Sequence, residues 1–332
     1  MRHLTIQNTT PLLTLLCAAA LTACGGGGDS SNAPAGTSSD AATTYSADAT
    51  MVASDAATAL DAGMQTAQAV VSAQAAAATA AGTNTRPASA QPTAVTNASV
   101  ACPGGGTAVL TITGGTDVSV QNGKLDTGEV YTLVYAGCKG AAGAVALNGT
   151  LAMTVNSATA TDLSLGLVVT DLSATLPRGL VTLAGSTTHS LSSATDATGA
   201  TLLTSHIVTP SMLLTTQFNA RSSSFALTAL DITRQSVWVD GALQSSSIDG
   251  THTLAATLPN AQFSYTVATQ GGVTYAADGT PATGAWTVTL PNALLGVTIA
   301  NAVATITVDD GKDGTIDRTF TVPIGTLRLA AG

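Results

Sequence analysis

Residues 225–234 (FALTALDITR), residues 236–239 (SVWV) and the pair Asp240-Gly241 that closes them decide the fold class. Both runs are built from Leu, Ile, Val, Thr and aromatic residues, the composition of a pleated, half-buried strand. Asp-Gly accepts positive φ at successive positions, as the tightest hairpin turn requires. The same texture continues on both sides. Toward the N-terminus lie 107–113, 130–136, 150–156, 163–171, 180–185, 200–208 and 212–219; toward the C-terminus lie 252–258, 263–269, 285–290, 297–308 and 318–322. Asn122-Gly123, Asn148-Gly149, Asp249-Gly250, Asp278-Gly279 and Asp313-Gly314 fall between such runs and read as further turns. Strands joined by short turns are antiparallel neighbours. Residues 102–332 are therefore predicted to be mainly β, a large antiparallel meander forming a curved sheet, sandwich or partial barrel. Membrane barrels carry aromatic girdles; at 3% aromatic residues, this chain argues against one.

The other end of the chain has a different logic. Met1, Arg2 and His3 precede an apolar core over 12–21 that ends in small residues, the layout of a secretory signal peptide over 1–23. Leu21-Thr22-Ala23-Cys24 resembles the lipobox of bacterial lipoproteins. That resemblance implies diacylglycerol on the Cys24 sulfur, cleavage before Cys24 and acylation of the freed amine. Several acyl chains at about 0.8 kcal/mol per buried methylene would hold the protein on a membrane. In Gram-negative lipoproteins an aspartate after the lipidated cysteine retains the protein in the inner membrane; Gly25 stands there instead, which implies the outer membrane.

Composition narrows the partners. The net charge is −9, and removing 1–23 takes away Arg2 and no acid, leaving −10. With 10 scattered Lys+Arg, the chain does not offer the basic clusters that nucleic acid rewards. Basic partner surfaces or divalent cations match the charge better. Only 9% of residues are charged, and the hydrophobic 45% is largely Ala, Val and Leu.

In the segment 24–40, Cys24 is followed by Gly, Ser, Asn, Ala, Pro and Thr with two aspartates, a flexible tether reaching about 20 Å. Residues 41–82 are Ala-rich, lack proline and end at Gly82, which predicts a helix. At 100° per residue, Tyr45, Val52, Leu60, Met64, Val70 and Val71 share an arc of about 120°, outside which Asp48, Asp55 and Asp61 fall. Met51 and Gln74 break that pattern. Residues 83–101 hold Arg86-Pro87 and Gln91-Pro92 and read as a linker.

Cys17 would leave with the leader and Cys24 would carry lipid. Cys102 and Cys138 lie at the open end of a hairpin made by 107–113 and 130–136, where a disulfide fits; two buried thiols are the alternative. Segments 107–113, 123–129, 131–135, Cys138 and 147–150 together are similar to a pattern in uncharacterised Gram-negative lipoproteins, a family that implies no activity.

Two acidic loops are compared with a twelve-residue calcium loop. Counting from Val118 puts Asn122, Asp126 and Glu129, the only glutamate, at positions 5, 9 and 12, but Val118 and Val120 leave positions 1 and 3 without oxygen ligands. Counting from Asp309 puts Asp313 and Asp317 at positions 5 and 9, with Gly311 and Phe320 at 3 and 12. Asp309, Asp313 and Asp317 are the better candidate ligands for a structural calcium; the plain reading is an acidic turn.

No Gly-x-Ser-x-Gly elbow, His-Glu-x-x-His pair or phosphate loop occurs. His189, His206 and His252 read as strand residues on solvent or half-buried faces, and Trp238 and Trp286 as core or edge residues before a ligand-lining surface. The sequence points first to a non-enzymatic, membrane-anchored binding or scaffolding protein. A surface adhesin on the same architecture and an envelope hydrolase assembled from dispersed residues stand behind it.

Overall fold

The computed structural model describes residues 96–114, 125–140, 145–218 and 221–324. The leader, Cys24, the tether, the helix expected over 41–82 and the Asn122-Gly123 turn lie outside them. The described residues form fourteen strands. The first seven are β1 (Thr96–Ala101), β2 (Thr107–Thr113), β3 (Val130–Lys139), β4 (Ala146–Ala158), β5 (Asp162–Leu176), β6 (Gly179–Thr195) and β7 (Thr201–Phe218). The second seven are β8 (Arg221–Val239), β9 (Ala242–Leu258), β10 (Ala261–Ala276), β11 (Pro281–Thr289), β12 (Ala293–Ala300), β13 (Val303–Asp310) and β14 (Arg318–Pro323). All pair antiparallel in chain order within one sheet, so the fold is the expected meander. Among the described residues β1 and β14 do not pair with each other, and the sheet is open. Each of these edge strands has only six residues, which keeps the unpaired backbone short.

The central strands are long. At about 3.3 Å per residue, the 19 residues of β8 span roughly 60 Å. A line of bulges crosses them. Register shifts fall between Tyr135 and Cys138, Val169 and Leu172, Ser186 and Thr188, Thr228 and Asp231, and Ala268 and Val273. Asp171 and Ala229 sit there with φ of 47° and 51°. Opposite the bulges stand glycines. A Cβ on Gly250 (φ 151°) would overlap the carbonyl oxygen of Asp231, and one on Gly185 (φ 143°) would overlap that of Ser211. Gly149 faces Asp171 in the same way. Pro210, which donates no hydrogen bond, falls in this line too, between Thr209 and Ser211. Bulges bend a strand and sharpen its twist, so this line is a crease across the sheet.

One face of the creased sheet is apolar. Its rows include Leu110, Leu133, Leu151, Met153 and Leu167 in one cluster, and Leu230, Val267, Trp286, Leu295, Ile306 and Val308 in another; Leu183 packs against both. Among the described residues no α-helix and no second sheet covers this inner face; its described cover is the neighbouring strands. The apolar spacing stretches from two to three where a bulge intervenes, as from Leu227 to Leu230 and from Val169 to Leu172. The outer face keeps water contact with few charges. Hydroxyl pairs such as Thr274–Thr283 (2.7 Å) and Thr253–Thr266 (2.8 Å) run across strands there.

The crease corrects several sequence expectations. Asn148-Gly149 and Asp249-Gly250 are not turns but lie inside β4 and β9. The runs 200–208 and 212–219 are one strand, β7, and 225–234 and 236–239 are one strand, β8. Positive φ serves a bulge as well as a turn, which is why the dipeptides misled. Asp240-Gly241 is a true turn, between β8 and β9. The run 297–308 is two strands, turned at Asn301 and Ala302 with φ of 52° and 60°. Thr96–Ala101, expected as linker, pairs with β2 from Thr96↔Ile112 to Ala101↔Thr107.

Gly250→Ala is expected to lose more than about 3 kcal/mol, because a forbidden φ and a backbone overlap add. Gly199→Ala, where nothing lies within 4 Å of the new Cβ, should lose only about 1–2 kcal/mol. Denaturant unfolding of both variants checks this; equal losses would remove the crease as a constraint.

Candidate functional site

The candidate residues separate onto the two faces of the sheet because successive strand residues point oppositely. His189 on β6 pairs in register with buried Ile207, and its Nε2 lies 2.8 Å from Ser205 Oγ. Both belong to the inner face. His206, next in chain to Ser205, points outward, where its Nε2 lies 2.8 Å from Asp231 Oδ1 in an exposed pair. Serine, two histidines and an aspartate thus lie within three neighbouring strands, yet the sheet divides them into two couples on opposite faces. No serine–histidine–carboxylate relay results. Burial, and secondarily the His206 charge, hold His189 below the ordinary histidine range.

His252 departs from its expected half-buried or solvent face. It is fully buried on β9, edge-on to Tyr265 at 6.3 Å. Trp286 is fully buried in the larger core cluster, as read from the sequence. Trp238 is half-buried, with its Nε1 atom shielded from water and without an acceptor among the described residues.

Arg234 carried no signal in the sequence beyond being one of few cations. On β8 it lies between buried Ile232 and Ser236 and opposite Ser205 and Ile248, which fixes it on the inner face. Its Nε is shielded and has no acceptor among the described residues. Neither ion pair of the described residues includes it. Asp231 and Asp249, the acids nearest in register, are exposed on the other face, where Asp249 accepts a hydrogen bond from Thr269.

The two cysteines are joined: Cys102 and Cys138 form a disulfide with Cα atoms 5.3 Å apart, tying the β1–β2 connection to β3. Its loop of 36 residues corresponds to roughly 3–4 kcal/mol in the chain-entropy model.

The acidic loops use their carboxylates on the backbone. Asp309 is buried and accepts from Asp313 N (3.2 Å) and Gly314 N (3.0 Å). Asp317 accepts from Asp310 N at 2.7 Å, and Asp313 accepts from Thr315 N at 2.8 Å. Asp310 pairs with Arg318. In the earlier loop Glu129 is fully buried; one oxygen accepts from Tyr131 Oη (2.5 Å) and Asp126 N (2.9 Å). Burial and that glutamate push the Tyr131 phenol well above its ordinary range. Among the described residues no three His, Cys, Asp or Glu side chains converge as ligands of one metal ion.

Comparison with family models, with curated proteins and with solved structures finds no match for the chain.

Two outcomes are expected. An unfolded histidine protonates near pH 6.5, whereas folded His189 resists protonation. Below about pH 6.5 the unfolded chain therefore binds more protons, so stability falls as pH falls. His189→Gln should flatten that part of a urea-midpoint profile; an unchanged slope would place the effect elsewhere. In the Asp309 loop, backbone donors already occupy the carboxylates, so thermal melts in calcium and in chelator are expected to coincide. A rise in melting temperature with calcium would instead assign an ion to Asp309, Asp313 and Asp317.

Proposed function

We propose that the chain is an envelope lipoprotein, acylated at Cys24, held on the outer membrane and acting as a non-enzymatic binding or scaffolding protein. Leu21-Thr22-Ala23-Cys24 directly after an apolar leader is the observation that carries this reading. The disulfide is compatible with it, because such bonds persist in oxidising compartments. Binding rather than catalysis is supported by the division of His189–Ser205 from His206–Asp231, which puts the aspartate beside the outer histidine and not the inner one. The open sheet, with inner-face donors that have no acceptor among the described residues, suits recognition.

Labelled palmitate should enter the wild-type chain in a Gram-negative host and not Cys24→Ser, which should leave the membrane fraction. A Cys24→Ser variant that stays membrane-bound and labelled would end the proposal.

A further inference from the structure

We infer that the inner face of β8, around Arg234 and Trp238, binds a small oxyanion-bearing ligand, a carboxylate or a phosphate. The inference deepens the binding reading above and rests on it. Arg234 and Trp238 are four residues apart on one strand and one face, with buried Ser236 between them. Each carries an N–H whose nitrogen is shielded from water and has no acceptor among the described residues. Shielded donors are ordinarily paired, and half-buried Arg234 belongs to neither ion pair of the described residues. Two such donors lie on one face of one strand.

The surroundings supply further donors. Ser205 is Arg234's partner across the β7–β8 ladder, with His189 hydrogen-bonded to it, and Ser246 pairs with Ser236 across β8–β9. The neighbouring acids Asp231 and Asp249 occupy the opposite face, so the positive charge is not neutralised from within the described sheet. In a chain of net charge −9 an anion has little general attraction, and a local unpaired guanidinium is what would select one. The planar fork of arginine matches carboxylate and phosphate oxygens two at a time. The indole N–H, roughly 13 Å along the strand at the backbone, adds a donor for a second acceptor on the same molecule.

Trp238 also provides the readout, because the only other tryptophan, Trp286, is fully buried in the core. Full-length protein in detergent is titrated with inorganic phosphate and, separately, with acetate, following tryptophan emission and melting temperature. Saturable changes in emission and a raised melting temperature are expected with at least one probe; which probe acts distinguishes phosphate from carboxylate. Arg234→Gln should fold, as judged by circular dichroism, and weaken the response about tenfold or more. Arg234→Lys, if the glutamine variant does not fold, should keep charge but lose at least part of the affinity. Trp238→Phe should remove the emission change while the melting shift persists. No saturable response to either probe, or an equal response in the folded Arg234 variant, would overturn the site. Neither result bears on Cys24, so loss of the site and loss of the anchor are separable.

Discussion

At Gly149, Gly185 and Gly250 the carbonyl oxygen of a neighbouring bulge stands where a side chain would begin. Repeated from strand to strand, this close approach sets the course of the sheet. Strands of 15 to 19 residues, as in β5 to β9, would otherwise run on as a twisted ribbon wet on both faces. The bulges reset the alternation of inward and outward residues, so that Leu227 and Leu230 both reach the core although three positions separate them. Burial of both apolar clusters therefore depends on backbone geometry at a few small residues.

A chain with 9% charged residues must manage its polar groups by other means. Threonine does much of this. Thr209 donates to Thr187, which donates to the Val208 carbonyl, so two buried hydroxyls beside the bulges are satisfied locally. Thr269 accepts from Gly250 N (2.7 Å) and donates to Asp249, closing the backbone where β9 departs from regular pairing. Carboxylates at the Asp309 loop serve the same end. Against that background Arg234 and Trp238 stand out as donors left open on the apolar side.

The fold class was legible because period-two runs of Val, Leu, Thr and Ile are dense and the turn at Asp240-Gly241 is genuine. The Cys102–Cys138 bond was legible from hairpin geometry, since 107–113 pairs with 130–136 as expected, from Thr107↔Ala136 to Thr113↔Val130. The crease was not. Gly149, Gly250 and Pro210 each look like an interruption in one dimension, and only the facing strand reveals that the interruption continues the sheet. His252 was misplaced because nothing local marks a histidine that packs against Tyr265. The inner-face site was invisible for a related reason: Arg234 means little until Ser205 and Ile248 are known to flank it and Asp231 to point away.

Strictly sequential pairing has a kinetic consequence. Each strand's partners are its immediate predecessor and successor, so every closure joins segments one hairpin apart and the entropy of ring formation stays small. A chain delivered end first can zip up one strand at a time, each new edge serving as the template for the next.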